Sequence, residues 1–222
     1  MSTAQPAENY RRIRGSLPPE VMLVLAAKGR SAEEVAQVIA AGATAVGHNY
    51  VQEAARMAEA LGTTGKSVEW HMIGHLQRNK VKQALPLFDV IQSLDSVRLA
   101  RAISARAERP VPVYVEVNVA GEESKFGVPP QRVRALVQEA ARLPNVHIEG
   151  LMTMEPYSED PEDARPCFRR VRALFEELRD LDAPGVDLRV LSMGMTGSYR
   201  VAVEEGATMV RIGTAVFGPL PA

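Results

Sequence analysis

Apolar positions along the chain fall into two kinds of block that alternate. The first block, Val21-Met22-Leu23-Val24-Leu25-Ala26-Ala27, is an unbroken apolar run that ends at Lys28, before Gly29. A run this short and this rich in Val and Leu predicts a strand buried on both faces, the kind a parallel sheet uses. The next block has another period. Ser31-Ala32-Glu33-Glu34 has capping-box spacing, and Val35, Val38 and Ile39 share one helical face before Gly42. Strand signals recur over residues 44–47, 68–73, 88–92, 111–118, 146–154, 187–193 and 208–213. Helical stripes fall between them: Val51, Ala54, Ala58 and Leu61; a short segment over 77–85 stopped by Pro86; Val97, Ala100 and Ile103 behind a Ser96 cap; and Val133, Leu136 and Val137 behind Pro129-Pro130. The longest helix is predicted over 164–181, with Phe168, Val171, Phe175 and Leu178 inward, and a short one over 198–205.

Eight strands alternating with seven helices, with no linker or composition break, predict an α/β fold: one (β/α)8 TIM-like barrel domain over residues 1–222 rather than an open doubly wound sheet. Residues 9–14 carry an additional polar, basic helix ended by Gly15 and Pro18-Pro19. This N-terminal helix is expected to cover the wall where an eighth helix would sit.

Charge and cysteine content narrow the function classes. The 222 residues carry 26 Lys and Arg against 27 Asp and Glu, a formal net charge of -1, so no basic field favours nucleic acid or an anionic membrane. The N-terminus lacks a basic n-region and an apolar core, and no stretch approaches the ~18 apolar residues of a membrane span. A soluble, cytoplasmic, monomeric protein is expected. The single cysteine, Cys167, excludes an internal disulfide and reads as structural.

In a barrel of this kind, functional groups sit at the carboxyl ends of the strands. The residues just after each apolar run are Lys28, His48 and Asn49, Gly74 and His75, Ser93, Asn118, Thr153, Ser192 with Thr196, and Arg211 with Gly213 and Thr214. This set holds one amine, one guanidinium and no paired carboxylates, which argues against a carboxylate-dyad hydrolase and a hard-metal site. His71 and His75 have i, i+4 spacing, but His71 lies in a strand, where that spacing does not converge two rings on a metal. Period-two alternation puts Lys28 on the face of Met22, Val24 and Ala26, where desolvation favours the neutral, nucleophilic amine. Ser192-Met193-Gly194-Met195-Thr196-Gly197-Ser198 and Arg211-Ile212-Gly213-Thr214 form the loops after strands seven and eight, where barrels commonly bind phosphate. An amine, a phosphate cradle and a strand-borne arginine in one mouth describe a site for pyridoxal phosphate.

The sequence also resembles the pyridoxal-phosphate homeostasis proteins, relatives of the barrel domain of bacterial alanine racemase. The matching stretches include Leu25-Ala26-Ala27-Lys28, Gly47-His48-Asn49-Tyr50, Gly74-His75-Leu76-Gln77-Arg78-Asn79-Lys80, Ser124-Lys125-Phe126-Gly127, Leu191-Ser192-Met193-Gly194-Met195 and Val210-Arg211-Ile212-Gly213-Thr214-Ala215-Val216-Phe217-Gly218. They cover nearly the whole chain. The resemblance implies a barrel without the racemase β-domain, with Lys28 holding the cofactor as a Schiff base. Thr196 and the backbone around Gly213 and Thr214 would hold the phosphate, Arg211 would face the pyridine nitrogen, and Asn49 would line the cofactor face; Ser192 completes the cofactor-binding set. It further implies a carrier that buffers pyridoxal phosphate, hands it to apo-enzymes and influences amino- and keto-acid balance without an established reaction. Arginine at the ring nitrogen disfavours its protonation and restrains carbanion chemistry.

Racemases of this barrel type also use a tyrosine from their β-domain as second base; Tyr50, Tyr157 and Tyr199 are the candidate substitutes. Lys80 and Lys125 read as solvated surface lysines, with receiving or passing on the cofactor as the alternative. The chain departs from the family pattern in Ala27-Lys28-Gly29 for Ser-Lys-Thr, in His48 for Glu, in Thr196 for Ser, and in Gly197-Ser198-Tyr199-Arg200 after it. Two competing readings are a pyridoxal-phosphate-dependent racemase-type enzyme and an aldolase-like barrel in which Lys28 condenses with a phosphorylated substrate.

Overall fold

The structure is a computed structural model and describes residues 6–119, 121, 126–181 and 183–220. Helix α1 (Pro6–Gly15) precedes strand β1 (Met22–Ala26). The alternating units follow as α2 (Ala32–Ala40) with β2 (Ala45–His48), α3 (Val51–Leu61) with β3 (Glu69–Met72), α4 (Val81–Ala84) with β4 (Val90–Leu94), and α5 (Val97–Ser104) with β5 (Val111–Val117). The second half comprises α6 (Pro130–Ala140) with β6 (Val146–Thr153), α7 (Arg165–Arg179) with β7 (Val186–Ser192), α8 (Tyr199–Glu204) with β8 (Met209–Ile212), and a last turn of helix, α9 (Thr214–Phe217). The eight strands run parallel in chain order and close into a barrel, with β1 paired to both β2 and β8.

Local chemistry explains the ends of several elements. The Ser31 hydroxyl accepts the Glu34 N–H and the Glu34 carboxylate accepts the Ser31 N–H, so the capping box forms as its spacing predicts. Ser96 caps α5 through the Leu99 N–H. The segment over 77–85 is a 3-10 turn (Arg78–Lys80) followed by one turn of α4, shorter than its helical signal because Pro86 closes it. Strand β4 extends to Leu94, which puts Ser93 inside the strand.

Two apolar layers hold the barrel. Val24, Ala45, Ile73, Val90, Tyr114, Met152 and Met209 fill the lumen. A larger layer between strands and helices contains Leu23, Leu25, Val35, Leu99, Val133, Phe168 and Leu178, each side chain contributing about 1.5–3 kcal/mol by leaving water. Helix α1 packs between α9 and α2, the place expected for an eighth helix. Asn9 Nδ2 donates to the Val216 carbonyl at 3.0 Å and the Tyr10 hydroxyl to the Gly42 carbonyl at 2.9 Å. Among the described residues, no helix is long and apolar enough to cross a membrane. Cys167 is buried in α7.

Candidate functional site

Lys28 stands two residues beyond the end of its strand, in a turn rather than at the strand end that the apolar run implies. β1 ends at Ala26, and Ala27-Lys28-Gly29-Arg30 form a turn closed by the Arg30 N–H on the Ala27 carbonyl at 3.1 Å. Gly29 has φ +68°, a conformation that favours glycine at the third position of such a turn, and the Gly29 N–H donates to Glu53. This turn depends on one of the chain's departures, because a threonine at position 29 would be strained there. Met22, Val24 and Ala26 do face the lumen, as alternation predicts. Lys28 is exposed, so the desolvation expected of a buried strand end is absent; its Nζ lies 5.9 Å from the centre of the exposed Tyr50 ring.

Loops seven and eight meet as expected. The Thr196 hydroxyl oxygen accepts the Ala215 N–H at 3.2 Å, tying loop seven to the first turn of α9, and the Arg211 N–H donates to the Gly194 carbonyl at 3.0 Å. Because the Thr196 oxygen is an acceptor in that bond, its proton remains to be donated to an oxyanion. Gly213 lies directly against β1: a Cβ there would stand 3.0 Å from the Ala26 carbonyl oxygen. Thr214 is exposed beside it. Asn49 is half-buried and backs onto Gly74, where a Cβ would come within 2.5 Å of the Asn49 carbonyl oxygen. The substituted residues after Thr196 are well anchored. The Ser198 hydroxyl accepts the Met195 N–H at 3.0 Å and donates to Glu155, and the Tyr199 hydroxyl lies 3.3 Å from the Ser16 hydroxyl.

Arg211 is the buried charge of the site, only 4% exposed. Its guanidinium donates to the Ser192 hydroxyl and to the Thr153 carbonyl, both at 2.7 Å, using two of its five N–H donors. Burial works against the charge, while Glu155 and Glu116 favour it. The mouth residues read from the sequence hold no paired carboxylates; these two carboxylates add acidic groups that act on Arg211. Both are buried, and Oε2 of each has no hydrogen-bond partner among the described residues. Desolvation, with help from Asp95, pushes the Glu116 carboxyl up to about 7. Period two from Tyr114 would have found Glu116, whose residue type matches no apolar run. Ser192 is placed behind Arg211 rather than open to a ligand: it is fully buried, accepts from Arg211 and donates to Gln92 Oε1 at 2.8 Å.

The remaining expected residues go elsewhere. His48 turns away from the lumen and stacks on Trp70, ring centres 5.5 Å apart. Desolvation pulls its pKa down to about 4 against the Glu53 charge, so it is a neutral ring in the wall. His71 contacts Gln92 in the lumen, whereas His75 stacks on Phe126 at 3.9 Å and places Nδ1 3.2 Å from Asp95, out of line for a hydrogen bond. The two histidines therefore serve different neighbourhoods. Tyr199 is buried against Ser16 and Tyr157 is 92% exposed. Lys80 ends the 3-10 turn, half-buried, and Lys125 lies outside the described residues.

The donor set fits pyridoxal phosphate. Lys28 supplies a primary amine for the aldehyde, Thr196 and the first turn of α9 supply O–H and N–H donors for an oxyanion, and Arg211 retains donors for a ring nitrogen, which is an acceptor.

The sequence pattern of the alanine racemase N-terminal domain matches residues 2–221. A pyridoxal phosphate homeostasis protein of Aquifex aeolicus is 45% identical over 217 residues, 95% of this chain and 88% of that protein. A human protein of the same name is 36% identical over 220 residues, 94% of this chain and 80% of that protein. Among solved structures, PipY of Synechococcus elongatus without pyridoxal phosphate is similar at TM-score 0.90 and 35% identity, covering 96% of this chain and 100% of PipY. The structure of PipY with pyridoxal phosphate bound is similar at TM-score 0.88 and 34% identity, with the same coverage.

Proposed function

The chain belongs to the pyridoxal phosphate homeostasis protein family, whose barrel is the alanine racemase N-terminal domain, and we propose that it binds pyridoxal phosphate in the barrel mouth as an intracellular carrier. Lys28 anchors the cofactor as a Schiff base, its amine condensing with the aldehyde and releasing water. The Thr196 hydroxyl and the backbone at Gly213 and Thr214 hold the phosphate, Arg211 faces the ring nitrogen, and Asn49 lines the ring. The observation that supports this reading is that the Thr196–Ala215 bridge and the buried guanidinium of Arg211 lie at the same end of the barrel, one suited to an oxyanion and the other to a ring nitrogen.

The proposed role is storage and release of the cofactor to apo-enzymes, as a monomer and without turnover. The bound cofactor supplies electron withdrawal to an attached amine. A charged arginine at its ring nitrogen limits that withdrawal. The exposed turn of Lys28 gives water and an acceptor protein access to the anchor.

The test is the visible spectrum of the purified protein, with and without borohydride. Wild type is expected to be yellow and to bleach on reduction with a covalent pyridoxyl group retained; Lys28→Ala is expected to lose both. A Lys28→Ala protein with the wild-type spectrum would rule the anchor out. A racemase-type reading is favoured by one observation, the Glu116 carboxyl held near neutral pH beside Arg211. It predicts Lys28-dependent exchange of the alpha proton of an amino acid in deuterated water, and no exchange across an amino-acid panel would remove it.

A further inference from the structure

We propose that Gln92 and His71, in the lumen below the mouth, are positioning residues for the Arg211 guanidinium; this rests on the reading of Arg211 as the group that faces the cofactor ring. Arg211, Ser192, Gln92 and His71 form a continuous chain of side chains across β8, β7, β4 and β3. The contacts are Arg211 to Ser192 Oγ at 2.7 Å, Ser192 Oγ to Gln92 Oε1 at 2.8 Å, and Gln92 Nε2 to His71 Nδ1 at 2.8 Å. His71 Nε2 lies 3.5 Å from the Glu69 carboxylate, a long contact at the half-exposed end of the chain.

The amide orientation sets the direction of donation along this chain. A guanidinium can only donate, so Ser192 Oγ accepts from it, and Gln92 turns Oε1 towards Ser192 to take the hydroxyl proton. Nε2 is then at the far side, where it donates to His71 Nδ1 and also meets Met209 Sδ at 3.2 Å. His71 must then carry its proton on Nε2, the nitrogen facing Glu69. Ser192, Gln92 and His71 are all fully buried, so no water can substitute for a missing member.

The consequence is positional. Glu155 and Glu116 both attract Arg211, and each keeps an oxygen with no hydrogen-bond partner among the described residues. Without Gln92, the Ser192 proton loses its acceptor and Ser192 no longer presents a fixed lone pair to the guanidinium. Arg211 is then free to turn towards the carboxylates and away from the cofactor ring. The chain holds the cation against that competition.

The experiment uses the full-length protein loaded with pyridoxal phosphate and compares wild type, Arg211→Ala, Gln92→Leu and Gln92→Glu by visible absorbance, by cofactor affinity and by circular dichroism for folding. Gln92→Leu keeps the volume and removes both bonds. It is expected to move the absorbance maximum towards that of Arg211→Ala and to weaken binding about tenfold, the effect of one charge-assisted hydrogen bond, while Lys28 remains trapped by borohydride. Gln92→Glu retains the acceptor for Ser192 and is expected to restore part of the wild-type maximum. A folded Gln92→Leu protein with wild-type spectrum and affinity, beside an altered Arg211→Ala, overturns the inference alone. A wild-type spectrum and affinity in Arg211→Ala overturns the reading of Arg211 and the inference with it. Nitrogen NMR of unsubstituted protein without cofactor gives a readout that needs no variant: His71 is expected as the Nε2–H tautomer, and the Nδ1–H tautomer contradicts the chain.

Discussion

The two ends of the barrel lumen treat their charged groups in opposite ways. Towards the amino-terminal end, Arg189 pairs with Glu149 at 2.8 Å and approaches Asp187 at 3.9 Å, and His147 lies 3.8 Å from Glu149. Glu69, Glu149 and Arg189 all lie close enough to act on the Tyr114 hydroxyl, and burial with the two carboxylates holds its pKa well above the usual range. At the mouth, Arg211 keeps donors in reserve while Glu116 and Glu155 each hold a buried oxygen without a partner among the described residues. A fold gains nothing in stability from such unpaired groups. The unpaired oxygens of Glu116 and Glu155 lie at the carboxyl end of the strands, where barrels of this kind carry their sites, and the Arg189 ion pairs lie at the opposite end.

The contrast is sharpest at Glu116. Its raised pKa means that the folded protein binds a proton more tightly than the unfolded chain does. Stability from this group is complete below about pH 4.5 and is lost as pH rises through about 7. Glu116→Gln is expected to be more stable than wild type by about 3 kcal/mol at pH 8 and equal to it at pH 4, read by denaturant unfolding of cofactor-free protein. Equal stability at pH 8 would mean that the carboxylate is not desolvated.

Arg211 tests the same end by function. Arg211→Met is expected to lower pyridoxal phosphate affinity about a hundredfold, from lost hydrogen bonds to a charged donor, with no matching fall in the thermal midpoint of the cofactor-free protein. A large loss of stability would place Arg211 with the structural end.

His48 has the opposite pH signature to Glu116. Buried and neutral against Trp70, it contributes stability that is present above about pH 6.5 and lost as pH falls through about 4, because between these values the unfolded chain takes up the proton first. His48→Phe is expected to flatten the acid limb of the stability curve by about 3 kcal/mol. An unchanged acid limb would show a ring already solvated. The smallest effect belongs to the floor: Arg189→Ala, at a 60%-exposed side chain, is expected to lower stability by less than about 1 kcal/mol and to leave cofactor affinity unchanged.

The barrel was legible in the sequence because most strands, such as β1 and β5, are rich in apolar residues and the longer helices carry an apolar stripe, and the two periods do not overlap. Lys28, Thr196 and Gly213 were legible because they follow those runs at the carboxyl ends, and Arg211 because it is the charged residue that interrupts the last run inside β8. The rest depended on geometry that periodicity does not encode. Glu116 lies inside β5, so a search for residues after each strand passes over it. Ser192 reads as a ligand-facing hydroxyl but is taken up by Arg211 and Gln92. His48 follows an apolar pair, yet its parity in β2 turns it into the wall. Helix α9, at four residues, is too short to show a stripe.

The most direct measurement of the central claim is mass-spectrometric mapping of the pyridoxyl group after borohydride reduction of the cofactor-loaded protein. The account predicts one modified peptide, carrying the group on Lys28. A modification confined to Lys80 or any other lysine, with Lys28 untouched, would contradict it.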